Sequence, residues 1–360
     1  MSTPQFLTMH ELVKKARQNL NHNNWDYIVG GTETETTLRR NRHALDGIAF
    51  RPRVLCDVSN VDPSTTFLGQ KSRLPVFLAP VGGLEHFAPE GAVTAARAAH
   101  EFGVIQMLSS VCEPGTEPVA KNVPDGMRSF QLYVHGDPAW VDDILARALS
   151  LGYTSLCLTV DTAYYSRRER DLAQRNIRRA NVPGREHQAA LNWKDIDRIR
   201  AKFSAPLMLK GIATAEDAKL AVEHGVDVVY VSNHGGRQLD HGLGTMDILP
   251  EVVEAVAGKA RIVIDGSFNR GTDVIKAIAA GADMVGIGRM QCIGLAAAGQ
   301  AGLVRMLEIL ETEVLSCMGL LGVQHLSELN RAYLRAAPVV ADPRAFSSFP
   351  LLTFEEQSFY

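Results

Sequence analysis

Between residues 75 and 289 the chain alternates short, nearly unbroken apolar runs with longer segments whose apolar residues recur every three or four positions. The short runs are PVFLAP (75–80), VIQMLSS (104–110), RSFQLYV (128–134), SLCLTVD (155–161), PLMLKG (206–211), VDVVYVSNH (226–234), ARIVIDG (260–266) and ADMVGIGR (282–289). An apolar run of that length without polar alternation reads as a strand buried on both faces, as in a parallel sheet. The intervening PEGAVTAARAAHEFG, PAWVDDILARALSLG, TAEDAKLAVEHG and RGTDVIKAIAAGA carry a helical period. Several close on glycine, which suits a helix C-terminus. Eight strand–helix units predict an α/β fold, a closed (β/α)8 TIM barrel. An open, doubly wound sheet is the alternative.

The first 70 residues stand outside this repeat. Thr8-Met9-His10-Glu11 spells a capping box that opens a helix, and two further helical patterns carry the chain to about Leu45. This N-terminal helical extension (1–70) is expected to cover a barrel spanning 75–318. Residues 319–360 read as a C-terminal helical tail whose end, SSFPLLTFEEQSFY, is placed to pack on a neighbouring subunit. No low-complexity linker interrupts the chain, so 1–360 reads as a single domain.

Composition narrows the class. With 46% hydrophobic and 21% charged residues, the 360-residue chain is that of a soluble globular protein. A net charge of -3 gives no reason to expect a nucleic-acid partner. No apolar run approaches the ~20 residues of a membrane span. The opening MSTPQFLTMHELVKKARQ lacks the apolar stretch of a signal peptide, which predicts a cytoplasmic protein. Cys56, Cys112, Cys157, Cys292 and Cys317 are scattered without a CxxC pair or paired-histidine spacing. They predict reduced thiols and no metal site.

In a barrel of this kind, catalytic groups sit at the carboxyl ends of the strands. Those ends carry Ser109-Ser110, Gln131 with Tyr133, Thr159-Val160-Asp161, Lys210, Ser232 with His234, Asp265-Gly266 and Gly288-Arg289. The sixth end, VSNHGGRQLD, admits a polar turn or a reaction centre with His234 as base and Arg237 gripping an anion. Strands seven and eight end in DGSFNRG and GIGR, where such barrels bind phosphate. There glycines let backbone N–H groups approach an anion and Arg289 adds a forked charge. Gly286-Ile287-Gly288 is followed at position 291 by Gln rather than a third glycine, so it is not a dinucleotide fingerprint. Lys210 reads as a solvated cation, a Schiff-base lysine or a fixed charge beside an anionic cofactor. Spacing does not choose among these.

SNHGGRQLD, LTVDT with RRERD, FQLYV, LKGI and IDG…RGTDV…GADMVGIGR together resemble the FMN-dependent α-hydroxy acid oxidase and dehydrogenase family. Its members include glycolate oxidase, lactate oxidase, mandelate dehydrogenase and the flavin domain of flavocytochrome b2. The resemblance runs from Trp25-Asp26-Tyr27 to about residue 330. It implies FMN as cofactor, oxidation of an (S)-2-hydroxy acid to the 2-oxo acid, and reoxidation by O2, a quinone or a protein carrier. It also implies a homotetramer or larger homo-oligomer without a membrane span.

By the same resemblance His234 is the base and Asp161 the carboxylate that pairs with it. Arg168 and Arg237 hold the substrate carboxylate, and Tyr27 and Tyr133 touch the carboxylate and hydroxyl. Lys210 stands beside flavin N1 and O2. Pro80, Val81, Gly82, Ser109, Gln131, Thr159 and Ser232 match flavin-contacting positions, and Asp265, Gly266, Ser267, Asn269, Gly288 and Arg289 match the ribityl and phosphate end. His22, His43, His86, His100, His135 and His241 are assigned to structure or surface.

The sequence also departs from the family pattern. Val81-Gly82 replaces the usual Thr-Ala after Pro80, Val111 replaces an aromatic, and Ala163 a proline. Ser267 and Asn269 stand where the phosphate loop usually has glycine and arginine. The segment 176–191 is shorter than in plant-type glycolate oxidases. The lost bulk at 81–83 and 111 predicts a substrate with a medium or bulky side chain. Two alternatives are an FMN enzyme acting on a specialised biosynthetic or peptide-derived substrate, and a barrel binding FMN or phosphate without turnover.

Overall fold

The computed structural model describes residues 5–175 and 183–352. Residues 176–182 of the shortened segment, and the chain end from 353 onward, lie outside them. Eight parallel strands close into a barrel: β1 (Val76–Leu78), β2 (Ile105–Ser109), β3 (Arg128–Leu132), β4 (Leu156–Thr159), β5 (Leu207–Ile212), β6 (Val228–Val231), β7 (Arg261–Ile264) and β8 (Met284–Ile287). Seven fall inside one of the eight apolar runs, β5 overruns its run by Ile212 alone, and β8 pairs with β1 to complete the ring. Closure leaves no open edge, which answers the doubly wound alternative. Register aligns the functional ends: Ser109 lies opposite Gln131, and Thr159 opposite Lys210. The ladder slips between Lys210 and Ile212, at Gly211. Gly211 has φ 116°, and a Cβ there would lie 2.6 Å from Asp161 Cβ. A glycine is therefore what lets Asp161 pack over β5.

Inside the barrel Phe77, Ile105, Met107, Cys157, Met208, Val228, Tyr230, Val263 and Met284 form a buried core. Phe67, from a hairpin pairing Thr65–Phe67 with Gln70–Ser72, joins it at the amino end. A second, larger core packs the outer helices against the strands. The helix Arg289–Leu321 is long and apolar enough to cross a membrane, but 61% of its apolar window is buried inside the protein. It is a core helix, broken at Ala298 and Gly299 by non-helical dihedrals.

The N-terminal cover contains the helices Met9–Asn19, His22–Val29 and Thr36–Asp46, and the Thr8–Glu11 capping box is formed as expected. Among the described residues, the remainder of this cover is not helical. Ile48–Phe50 pairs antiparallel with Leu334–Ala336. The expected helical tail is likewise corrected. Among the described residues the last α-helix stops at Leu321, and single turns at Leu326–Glu328 and Arg331–Tyr333 precede the Leu334–Ala336 strand. Pro338, Pro343 and Pro350 deny this tail the N–H donors of a helix. It is held by aromatic anchors instead: Phe346 packs on Trp25 and Phe349 on Phe346.

Candidate active site

A cavity of about 310 Å³ opens at the carboxyl rim, walled by Tyr27, Val81, Tyr133, Arg168, Lys210, His234, Arg237 and Arg289 among others. Its volume is at the lower end of the roughly 300–1,000 Å³ usual for small-ligand sites. The loop after β6 explains the two glycines of the SNHGGRQ run. His234, Gly235 and Gly236 have φ of 59°, 67° and 78°, a left-handed turn. A Cβ at Gly235 would come within 2.9 Å of the Arg289 guanidinium, and one at Gly236 within 2.5 Å of Leu38 backbone. His234 itself bears the cost of a positive φ, of order 1–3 kcal/mol. Its N–H donates to Ser232 Oγ (3.1 Å), and its ring faces the cavity.

His234 Nδ1 lies 3.1 Å and 3.3 Å from the two Asp161 oxygens, and Nε2 lies 3.2 Å from the Tyr133 hydroxyl. Burial raises the Asp161 carboxyl, but the nearby His234 and Lys210 hold it below its usual range. Asp161 is therefore ionised, accepts from Nδ1–H, and leaves the Nε2 lone pair to the cavity. Burial, then the Lys210 charge, depress the imidazole below its ordinary value, and the opposing effect of Asp161 does not make this up. Burial, then the Asp161 charge, push the Tyr133 phenol upward, so it stays protonated and donates to Nε2. A neutral imidazole whose Nε2 lone pair faces the cavity, held there only by the Tyr133 hydroxyl, has the form of a general base.

Beneath it runs a buried polar chain. Lys210 Nζ donates to Ser232 Oγ (3.0 Å) and lies 3.5 Å from His234 Nδ1. Ser232 donates to Asp265 Oδ1 (2.7 Å), and Tyr230 donates to Asp265 Oδ2 (2.8 Å). Lys210 is thereby a fixed, 4% exposed cation rather than a solvated one. Arg237 donates to the Tyr27 and Ile28 carbonyls and stacks 4.6 Å from the Tyr27 ring. Arg168 donates to Ser166 Oγ (3.2 Å) beside the Tyr165 ring. Tyr27 donates to the Gly82 carbonyl (3.2 Å).

Comparison with known proteins gives the family. Residues 16–336 match the model of the FMN-dependent dehydrogenase family. The chain belongs to that family. It is 39% identical to glycolate oxidase of Spinacia oleracea, over 92% of this chain and 96% of that protein. It is 42% identical to a peroxisomal (S)-2-hydroxy-acid oxidase of Oryza sativa subsp. japonica, over 90% and 93%. A mandelate oxidase solved with (S)-2-phenylpropionate superposes with a TM-score of 0.85 at 35% identity, covering 94% of this chain and all of the other.

The cofactor of this family member is FMN, and the residues present fit it. Ser267 Oγ and Asn269 Oδ1, from two residues of the cavity wall, are buried without a hydrogen-bond partner. Such atoms call for a polar ligand. Burial, then the neighbouring Arg237 charge, pull the Arg289 guanidinium down to about 9. A bound anion would reverse that. Arg289 meanwhile donates to the Ile28, Gly30 and Gly235 carbonyls. Pro80, Val81, Gly82, Asp265, Gly266, Ser267, Asn269 and Gly288 also line the cavity. Asn269 turns its amide nitrogen away, to the Ala345 carbonyl and Ser348. Ser109, Gln131, Thr159, Asp161 and Ser232 lie behind the wall and support it; Gln131 donates to Thr159 Oγ1 (2.8 Å).

Some residues were misjudged or missed from sequence. His86 and His135, assigned to structure or surface, line the cavity. So do Tyr165, Arg185 and Gln188. Arg185 stands 4.5 Å from the Tyr165 ring. Gln188 bridges two strand ends, accepting from Val134 N and donating to the Thr159 carbonyl. They come from a basic stretch without a motif, and folding alone brings them to the rim.

Proposed function

We propose that this protein oxidises a 2-hydroxy acid of medium or bulky side chain to the 2-oxo acid. The observation that carries the reading is the neutral His234 ring, held through Nδ1 by ionised Asp161, with Nε2 and its Tyr133 hydroxyl partner at the wall of a cavity lined by Arg168 and Arg237. FMN, when bound, supplies the two-electron acceptor. Arg168 and Arg237 grip the substrate carboxylate, a task that suits the guanidinium fork. Tyr27 and Tyr133 orient the carboxylate and hydroxyl. His234 Nε2 then takes the substrate proton, from the hydroxyl oxygen or the α-carbon according to route. Asp161 stabilises the imidazolium so formed. Lys210, held against Ser232 beneath the imidazole, would offer its positive charge to a bound flavin, which would become more negative when reduced.

The side-chain preference rests on the wall at 81–83 and 111. A Cβ at Gly82 would lie 2.7 Å from Val111 Cγ2, so glycine is what lets Val111 pack against this loop without a bulky side chain entering the wall. Val111 itself is 44% exposed there. Burying a leucine- or phenylalanine-sized group contributes about 1.5–3 kcal/mol, roughly ten- to a hundredfold in selectivity. Measuring kcat/KM for glycolate, lactate, 2-hydroxyoctanoate and mandelate tests this, with the last two expected to lead. A preference for glycolate would overturn it. A homotetramer or larger assembly is supported by the exposed Leu55, Leu239 and Leu243. The five free cysteines suit a reducing, cytoplasmic setting.

A further inference from the structure

We propose that the helix Thr36–Asp46, which does not line the cavity, is a two-point clamp on the active site. In it Asn41 is a positioning residue for His234, and Arg42 is one for the loop at the flavin phosphate end. The proposal rests on His234 as the base and on FMN as the cofactor.

Asn41 is fully buried and forms a reciprocal amide pair with Asn233, the residue before His234. Its Nδ2 donates to Asn233 Oδ1 (2.9 Å), and Asn233 Nδ2 donates to its Oδ1 (2.7 Å). The same Oδ1 accepts from Thr245 N (3.0 Å), while Asn233 Oδ1 accepts from Gly236 N (3.0 Å). Both ends of the left-handed turn that aims the imidazole are thus tied, through Asn233, to one buried side chain. A loosened turn would let His234 drift, and misplacement by about 1 Å can cost on the order of 10²-fold in rate.

Arg42 occupies the next position, about 100° around the helix. It is 2% exposed and grips both oxygens of Asp273 at 2.8 Å. It also donates to the Ser267 carbonyl (3.2 Å) and to Asp46 (2.6 Å). Asp273 accepts from Asn269 N (3.0 Å) and Arg270 N (3.1 Å). The loop from Ser267 to Arg270 therefore hangs from the Arg42–Asp273 pair. Adjacent residues on one helix serve two different loops, so their effects separate.

The test compares Asn41→Leu, Asn41→Asp and Arg42→Lys in the full chain, reading the FMN dissociation constant by flavin fluorescence and kcat and KM per bound flavin. For Asn41→Leu, kcat should fall roughly ten- to a hundredfold, with KM and FMN affinity within about threefold of the parent. Asn41→Asp keeps the two accepted bonds and loses one donor, so it should fall between. Arg42→Lys keeps the charge beside Asp273 but loses the fork, so FMN should bind about tenfold more weakly with kcat per bound flavin within about twofold. Loss of both properties in parallel, or of neither, would overturn the clamp. If Asn41→Leu does not fold by circular dichroism, Asn41→Asp and Asn233→Asp decide in its place. A parent protein reduced by no 2-hydroxy acid would strike the proposed substrate class. The Arg42 arm is read from flavin binding and stands or falls without it.

Discussion

The two ends of the barrel are built from the same strands yet do opposite work. At the amino end Phe67, Phe77, Ile105, Met107 and Met208 surround a void of about 10 Å³, too small for a ligand. At the carboxyl end the void is about 310 Å³ and its wall holds arginines, a lysine and the base. Side chains alternate along each strand, so the difference does not come from the strands themselves. It comes from the segments that cover each end. The amino end is closed by an apolar plug from the hairpin at 65–72, which buries Phe67 to 5% exposure. The carboxyl end opens into loops whose glycines admit the guanidinium of Arg289 and the backbone of Leu38. Stability is concentrated at one end and chemistry at the other, as the barrel architecture favours.

Substitutions at each end put that contrast to the test. The largest effect belongs to His234→Ala, which should lower kcat by about 10³–10⁴-fold while the flavin absorbance is retained. Activity close to the parent's would remove the base from the carboxyl end. At the opposite end Phe67→Ala should cost about 3 kcal/mol of stability, read from the denaturation midpoint, with kcat within about twofold of the parent. A large fall in kcat without loss of stability would show that the two ends are coupled. Arg168→Met should raise KM for a 2-hydroxy acid roughly ten- to a hundredfold, in line with the loss of a charged hydrogen bond. Unchanged KM would place the carboxylate elsewhere. The smallest effect is pH dependence. His234 must be neutral to act and its pKa lies below its ordinary 6.5, because burial and then Lys210 oppose its charge. The profile of kcat/KM should therefore be flat at neutral pH and fall tenfold per pH unit on the acid side of a midpoint below 6.5. A midpoint above that value would mean that Asp161 outweighs burial.

Much of this was legible in the chain itself. Eight apolar runs gave eight strands because a parallel strand buried on both faces tolerates no polar alternation. His234, Asp161, Lys210 and Arg237 stood out as polar groups at or just beyond strand ends, a fixed place in such a barrel, while their roles came from the family resemblance. The tail misled because its apolar residues resemble a helical stripe, while its three prolines and the contact of Phe346 with Trp25 hold it as turns and one short strand.

Local sequence dictated the order of elements and the residue types at their ends. Long-range folding put Asn41 against Asn233, 192 positions away. It likewise brought His135, Arg185 and Gln188 to the cavity from stretches with no motif. It also set the protonation of the base, since the balance of burial, Lys210 and Asp161 around His234 exists only once three strands have been brought side by side. Strand and helix periods are written into neighbouring residues, whereas distances between loops, and the electrostatics that depend on them, arise only when the ring closes.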